Sequence, residues 1–265
     1  MKTTAEIGVI GGSGFYSLTD GAHEVEVETP YGPASGPLHV ETIDGRTVAF
    51  VPRHGPNHEL PPHRINYRAN CWALHHLGVT AVLAPFAAGS LRPDVHPGDL
   101  VMVDQFVDLT RRGGDTFSDG PGVFHLSAAD PYCPELRTLA LAVARRHGMH
   151  AHDGGTVVVI PGPRFATRAE SRWYRSQSWD LINMTQYPEV ALCRELGMCY
   201  AGIGLITDYD TGVDDDPSHE PVTQDAVFTF FEQQVGRLRE LVRGMLTEFP
   251  STRACACASG GGPTP

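Results

Sequence analysis

The sequence contains no apolar stretch close to the roughly 20 residues that a membrane-spanning helix needs, and its first residues lack the apolar segment of a secretory signal peptide. Basic residues form no cluster, and the net charge is −11. This charge argues against nucleic acid and anionic membranes as partners. Together these absences predict a cytoplasmic protein that acts on a small molecule.

The cysteines do not form the spacing pattern of a disulfide framework. Four of them are scattered singly through apolar or helical sequence, which is typical of reduced, buried thiols: Cys71, Cys133, Cys193 and Cys199. Cys255 and Cys257 lie in an Ala-, Gly- and Pro-rich tail, residues 251–265, which we expect to be disordered. Cys-Ala-Cys without a histidine or a second pair is weak evidence for a metal, so we expect no metal site.

Apolar runs and amphipathic segments alternate along the rest of the chain. Strands are predicted at about 6–11, 37–42, 47–51, 79–84, 99–104, 156–160, 179–183 and 200–206. Helices are predicted at about 66–77, 134–147, 168–176, 188–196 and 223–246, and the apolar stripe of the last is expected to pack on the core. No linker or repeat divides the chain, which indicates one α/β domain over residues 1–250. Residues 105–132 have no periodicity, and such a long irregular stretch is usually functional or lies at an interface.

Two acidic residues follow the last predicted strand. The apolar run 200–206 ends in Thr207-Asp208-Tyr209-Asp210, so both carboxylates are expected at the carboxyl end of a buried parallel strand, where α/β proteins bind small molecules. There they could hold a metal, cap the next helix, or accept hydrogen bonds from a nitrogen-rich ring such as adenine. A metal-dependent hydrolase is the poorer interpretation, because no histidine-rich ligand set accompanies them.

Two further strand ends are suited to an anion. The strand 6–11 runs into Gly11-Gly12-Ser13-Gly14, where backbone N–H groups and the Ser13 hydroxyl can approach an anion, although a simple tight turn would have the same sequence. The spacing is not that of a dinucleotide-binding loop. The strand 47–51 ends at Arg53-His54-Gly55, and an arginine there can grip phosphate with two parallel hydrogen bonds or form a surface ion pair.

Three more loops follow strands in the same way. Small residues after the strand 79–84 allow a ligand to touch the backbone. The turn after the strand 156–160 presents Phe165, which could stack on a purine or pack in the core. The strand 179–183 ends in Asn183-Met184-Thr185, where Thr185 can donate to an anion and Met184 offers an apolar contact to a sugar. Together the loops predict an anion site, an aromatic platform and an acidic end wall.

In combination these motifs resemble those of the trimeric purine nucleoside phosphorylases, and within them the 5'-methylthioadenosine phosphorylase branch. The resemblance covers about residues 6–249. It rests on Gly11-Gly12-Ser13-Gly14, Arg53-His54-Gly55, Ala88-Gly89-Ser90-Leu91, Gly162-Pro163-Arg164-Phe165, Asn183-Met184-Thr185 with Pro188-Glu189, and Thr207-Asp208-Tyr209-Asp210. It implies an α/β fold with a mixed central sheet wrapped by helices, a ring of three subunits, and phosphorolysis without metal or organic cofactor. Phosphate, the co-substrate, would attack the anomeric carbon of a nucleoside.

The resemblance also implies roles for individual residues. The phosphate site would consist of Ser13, Arg53, His54, the backbone at Ala87, and Thr185. The nucleoside would contact Phe165, Asn183, Met184, Asp208, Asp210 and, from the neighbouring subunit, His125 near the 5' substituent. Asp208, protonated, would donate to N7 of the leaving base, and Asp210 would accept from the exocyclic amine. Ala166 and Gln224 would tune substrate choice.

Two residues depart from the family pattern. Phe86 stands where relatives have a small or hydroxyl residue that helps bind phosphate. Gln224 stands where the methylthio branch has a small apolar residue, and its amide could hydrogen-bond a hydroxyl. Adenosine or another 5'-modified nucleoside is therefore an alternative substrate. A binding protein that has lost turnover is a third hypothesis, against which the retained phosphate set argues.

Overall fold

The computed structural model describes residues 3–12, 15, 17–19, 21–122, 124–211 and 221–262. Within them, eleven strands form one mixed sheet. The strands are β1 (Ile7–Gly11), β2 (His23–Val25), β3 (Leu38–Ile43), β4 (Arg46–Pro52), β5 (Ala81–Ser90), β6 (Leu100–Met102), β7 (Gln105–Asp108), β8 (Ala151–Asp153), β9 (Thr156–Val159), β10 (Leu181–Asn183) and β11 (Cys199–Asp208).

Five α-helices cover the sheet, and all five were predicted. They are α1 (Tyr67–His76), α2 (Pro134–Arg146), α3 (Arg168–Ser176), α4 (Gln186–Glu195) and α5 (Gln224–Thr247), with short 3-10 helices at Pro62–Arg64 and Ala256–Gly260. Local sequence sets their starts: Thr167 and Glu170 form a capping box at α3, for example. No helix in the described part of the chain combines the length and apolarity needed to cross a membrane. The predicted α/β class with a mixed central sheet is confirmed.

The order of the central strands explains why distant loops meet. β1 lies between β4 and β5 and is parallel to both, and β11 pairs parallel with β5 along the length of both strands. The carboxyl ends of these four strands therefore lie at one edge of the sheet. β10 runs antiparallel to β5 but pairs with its last residues, Gly89 and Ser90, so the turn after β10 reaches the same edge.

The core lies on both faces of the sheet. One large apolar cluster packs beneath α1 and α4 and another beneath α2 and α5, and a smaller third cluster includes Tyr174 of α3. The later part of the α5 stripe is core as expected, with Leu238, Leu241, Val242 and Met245 fully buried. Its first apolar residue, Val227, lines a cavity instead.

Some elements differ from the sequence expectations. β5 continues to Ser90, because its partner β11 extends equally far and pairs with it to Gly89. Residues 105–108, expected to be irregular, form β7 and pair with β9. The short strands β2 and β8 were not predicted.

The tail was expected to be disordered, and this expectation is wrong for residues 251–262. They fold back on the domain, where Cys257 is buried. The guanidinium of Arg253 donates to the Thr80 carbonyl at 2.8 Å, and the Gly262 N–H donates to the Glu195 carbonyl at 2.8 Å. The reason is tertiary: these partners lie far away in the sequence, so composition alone gives no sign of them.

Candidate active site

A cavity of about 400 Å³ opens at the carboxyl edge of the parallel strands. It is lined by most of the residues that the sequence singled out: Arg53, His54, Ala87, Phe165, Ala166, Asn183, Met184, Thr185, Asp208, Asp210 and Gln224. Ser13 lies outside the described residues. His125 is exposed in the segment between β7 and α2 and does not line the cavity of its own chain.

Arg53 is buried, and its hydrogen bonds differ from the predicted ones. Its Nε and Nη2 atoms donate to the two carboxylate oxygens of Glu189 at 2.7 and 2.8 Å. Nη1 donates to the Pro85 carbonyl at 3.1 Å, and Nη2 also donates to the Ile10 carbonyl at 3.0 Å. A guanidinium has five N–H donors, so these four bonds leave a single N–H for phosphate. The expected bidentate grip on phosphate is therefore wrong; the paired donors hold Glu189.

Glu189 stands at the centre of a buried polar network that sequence reasoning missed. The Tyr200 hydroxyl donates to Glu189 at 2.6 Å, and the Gln186 amide donates to Tyr200 at 3.1 Å. Tyr132 donates to the other end of the Gln186 amide at 3.2 Å. Burial alone would lower the pKa of Arg53, but the charge and hydrogen bonds of Glu189, together with nearby Tyr200 and Tyr67, outweigh it and the pKa is raised. The network thus keeps a charged arginine beneath the cavity, held by α4 and β11.

His54 is held in one tautomer. Its Nδ1 atom lies 2.9 Å from the Leu60 carbonyl, which can only accept, so Nδ1 carries the hydrogen and Nε2 remains available. Burial lowers the pKa of His54 to about 3, and the charge of Arg53 adds to this. The ring also stacks on His58, with 4.4 Å between centroids. His54 is therefore neutral near pH 7, and its Nε2 atom is an acceptor.

The turn between β10 and α4 is shaped by Asn183. Its amide nitrogen donates to the Ala87 carbonyl at 2.9 Å. Its oxygen accepts from the backbone N–H groups of Thr185 and Gln186 at 2.7 and 2.9 Å. Asn183 is thus a positioning residue, tying the end of β5 to the start of α4. Thr185, at the N-cap, is buried and makes no cap hydrogen bond with its side chain.

Phe86, which was expected to affect phosphate binding, is one of the residues that line the cavity. Its ring is almost fully buried and lies against Gly204 on the adjacent strand, where an added Cβ would come within 3.2 Å of the ring. Gly204 thus leaves space for this ring, and Ala87 lines the cavity beside it.

Asp208 ends β11 at the floor of the cavity. Its Oδ2 accepts from the Thr207 hydroxyl at 2.7 Å, and its Oδ1 accepts from the Asp210 N–H at 2.8 Å. Burial raises the pKa of Asp208, and these two hydrogen bonds oppose the shift. Gly89 is required beside it, because a Cβ there would lie 2.9 Å from Oδ1. A raised pKa makes this carboxyl easier to protonate, and a protonated carboxyl can donate to a ring nitrogen.

Asp210 differs from Asp208 in its hydrogen bonding. It has a left-handed backbone conformation with a φ of 54°, which aspartate tolerates better than most residues. Its Oδ2 atom and the nearby Ser171 hydroxyl are both buried, and neither makes a hydrogen bond of good geometry within the described residues. Burial raises the pKa of Asp210 to about 6; nearby Ser171 opposes this and the charge of Asp208 adds to it. An unsatisfied buried acceptor of this kind is suited to a ligand donor.

The remaining walls are apolar. Phe165, Ile160, Ile182 and Met184 line one side. Gly162 has a φ of 63°, and a Cβ on it would approach the Met184 sulfur to 2.6 Å, so the turn after β9 packs directly on the methionine. At the mouth, Phe228 and Val227 of α5 face the cavity, together with Gln224. The Gln224 side chain is exposed at the first residue of α5, so it forms a rim rather than a buried wall.

Arg112 is a second positioning residue that the sequence did not reveal. It donates to the carbonyls of Pro161 at 2.9 Å, Met184 at 2.8 Å and Tyr187 at 2.7 Å. It thereby ties the turn after β9 to the turn after β10. Arg112 lies in the aperiodic segment 105–132, and only the length of that segment indicated a functional role.

Comparison with known proteins agrees with this geometry. The Phosphorylase superfamily matches residues 6–247. A purine nucleoside phosphorylase from Streptomyces coelicolor is 50% identical, covering 97% of this chain and 95% of that protein. An S-methyl-5'-thioadenosine phosphorylase from Mycolicibacterium smegmatis is 50% identical over 94% and 93%, and one from Pyrococcus furiosus is 46% identical over 96% of each.

Solved structures give the same result. A methylthioadenosine phosphorylase from Schistosoma mansoni in complex with adenine superposes with a TM-score of 0.89 at 35% identity, covering 97% of this chain and 96% of the other. The resemblance inferred from the sequence is confirmed. The chain belongs to the phosphorylase superfamily, within its purine nucleoside and 5'-methylthioadenosine phosphorylase branch.

Proposed function

We propose that this enzyme cleaves 5'-methylthioadenosine with inorganic phosphate, giving adenine and 5-methylthioribose 1-phosphate. The observation that carries the proposal is the placement of a buried, unpartnered Asp210 oxygen beside Asp208, in the same cavity as Arg53, His54 and Thr185. An acceptor-only carboxylate suits the exocyclic amine of adenine and disfavours the carbonyl of a 6-oxopurine. Relatives named for methylthioadenosine at up to 50% identity support the choice of nucleoside.

The residues divide the chemistry between them. Phosphate is positioned by the remaining N–H of Arg53, by His54 and by Thr185 below the sugar. As a phosphate oxygen attacks the anomeric carbon, the bond to the base breaks and its electrons pass to the purine. Asp208 gives its proton to N7, and the proton of monohydrogen phosphate restores it. Stabilising charge on the leaving base in this way is the main task of the site.

The reaction requires a direct test. Purified enzyme is incubated with 5'-methylthioadenosine, adenosine and inosine, each with and without phosphate, and the free base is measured. Base release from 5'-methylthioadenosine is expected only with phosphate, and it should survive chelators because no step uses a metal. Equal release without phosphate would identify a hydrolase.

Adenosine is the second candidate substrate. The amide of Gln224 at the cavity rim supports it, since an amide can hydrogen-bond a 5'-hydroxyl. The Streptomyces relative is named as a purine nucleoside phosphorylase, and a schistosome relative as an adenosine/methylthioadenosine phosphorylase. The ratio of kcat/KM for the two nucleosides distinguishes these candidates.

We also propose a homotrimer in which His125 completes the site of a neighbouring subunit. In a single chain His125 is exposed and outside the cavity, which fits a role across an interface. His125→Ala should change KM for the 5' substituent and leave base preference unaltered. A fully active monomer by light scattering would contradict this assembly. Cytoplasmic location stays a prediction.

A further inference from the structure

Four cysteines from three distant parts of the chain meet at one point. Cys133 is the N-cap of α2, Cys199 begins β11, and Cys255 and Cys257 flank Ala256 in the tail. All four sulfur atoms lie within 4.8 Å of one another. The fold thus supplies the second cysteine pair that the Cys-Ala-Cys segment lacks in sequence.

The distances suit tetrahedral coordination. Zinc binds thiolate sulfur at about 2.3 Å, so the sulfurs of a tetrahedral four-cysteine site lie about 3.8 Å apart. The Cys199 and Cys255 sulfurs are 3.3 Å apart, and none of the six separations exceeds 4.8 Å. Cys133, Cys199 and Cys257 are buried and Cys255 is partly so, which is the closed arrangement of structural zinc sites.

The surrounding charges favour thiolates. Four thiolates around one Zn²⁺ carry a net charge of −2, which needs positive neighbours. The guanidinium of Arg253 lies 3.2 Å from the Cys199 sulfur. Arg194 is 8% exposed and lies near Cys257, and its Nε and Nη1 atoms have no hydrogen-bond partner in the described structure. A buried guanidinium with two unsatisfied nitrogens beside four thiols is costly unless negative charge develops there.

We propose that Cys133, Cys199, Cys255 and Cys257 bind one Zn²⁺ as a structural site that pins the C-terminal tail to α2 and β11. On binding, the four thiols release their protons and no redox change occurs. The site lies at the start of β11, and Asp208 lies at its end, about 30 Å away for a ten-residue strand. The ion therefore stabilises the fold and takes no part in the reaction. This inference is independent of the proposed function.

Metal content is the first test. The protein is expressed with zinc in the medium, purified under nitrogen with a reductant, and measured by elemental mass spectrometry. The wild type should hold about one zinc per chain, and the double variant Cys255→Ser/Cys257→Ser should hold none. Cys71→Ala is the matched control, because Cys71 is a buried cysteine outside the cluster, and it should retain the zinc.

Two further measurements keep the test decisive if the double variant folds poorly. Metal-free wild type titrated with Co²⁺ should develop the absorption of tetrahedral cobalt thiolate, and chelation of the wild type should lower its melting temperature. Reduced wild type that neither contains nor takes up metal overturns the proposal. Disulfides among these cysteines in the anaerobically purified protein would overturn it as well, as would zinc retained by the double variant.

Discussion

The phosphate half and the base half of the cavity treat their charged groups in opposite ways. In the phosphate half, four of the five N–H donors of Arg53 make hydrogen bonds to Glu189 and two backbone carbonyls. In the base half, Asp210 and Ser171 each have a buried polar atom without a partner. The charged groups of the phosphate half have partners without a ligand, whereas those of the base half gain a partner when a ligand binds. The comparison indicates that the protein pairs the cation of the proposed phosphate site internally, whereas the proposed base site keeps unsatisfied groups.

The largest expected effect comes from breaking the phosphate half. Arg53→Met leaves the Glu189 carboxylate buried without its cation, and removing one partner of such a pair costs about 3–5 kcal/mol in the free energy of unfolding. Urea denaturation measures it. The variant Arg53→Met/Glu189→Met should recover much of this stability but no activity. If Arg53→Met unfolds like the wild type and only raises KM for phosphate, Arg53 is a simple phosphate ligand.

In the base half, Asp208→Asn should remove the proton donor to the leaving base. Losing one such transition-state interaction costs on the order of 3 kcal/mol, or about a hundredfold in kcat/KM for adenine-type nucleosides. Activity on inosine should rise relative to adenosine, because an amide can donate to a ring nitrogen and resembles the residue of the branch that prefers 6-oxopurines. Unlike Arg53→Met, this variant should keep its stability. A ratio of efficiencies that does not move would contradict the role of Asp208 in base recognition.

The pH dependence of adenine binding tests Asp210. With a pKa of about 6, Asp210 is ionised at pH 7 and mostly protonated at pH 5, so its acceptor is lost on acidification. Adenine affinity, measured by calorimetry without phosphate, should fall about tenfold between pH 7 and pH 5.

The same pKa has a consequence for stability. Because it lies above the ordinary value of 3.8, the stabilising contribution of Asp210 is present below about pH 4 and lost as pH rises through 6. The difference in the free energy of unfolding between Asp210→Asn and the wild type should therefore favour the variant more at pH 7 than at pH 4. The same variant should bind adenine with a flat pH profile. If adenine affinity of the wild type also does not depend on pH, the adenine amine donates to a group other than Asp210.

The smallest effect is expected at the rim. An unpartnered buried amide would cost about 1–3 kcal/mol. Gln224 is exposed, so its amide does not carry this cost and Gln224→Val removes little. We expect the ratio of kcat/KM for 5'-methylthioadenosine over adenosine to rise only a few-fold, in keeping with an interaction that water can replace. Gln233→Val, on the exposed part of α5 and outside the cavity lining, is the control. A change above tenfold would mean that Gln224 turns inward when substrate binds.

Much of the site was predictable because its signals are local. Asp208 and Asp210 follow an uninterrupted apolar run, Arg53 and His54 follow another, and parallel strands bring such ends together. The roles were harder to predict than the positions. Asn183 was expected to contact the nucleoside, which stays a prediction, and the sequence did not indicate that its amide also holds the turn. Arg112 lay in a segment without a period. Hydrogen bonds of this kind depend on side-chain directions that spacing does not encode.

The sequence by itself determined the fold class and most of the cavity lining, because hydrophobic periodicity and strand-end motifs are properties of consecutive residues. Only the tertiary structure decided that Arg53 pairs with Glu189, 136 residues away, and that Cys133 and Cys199 meet the cysteines of the tail. A charge or a thiol acts according to its partners and its burial, and both are set by the packing of segments that lie far apart in the chain.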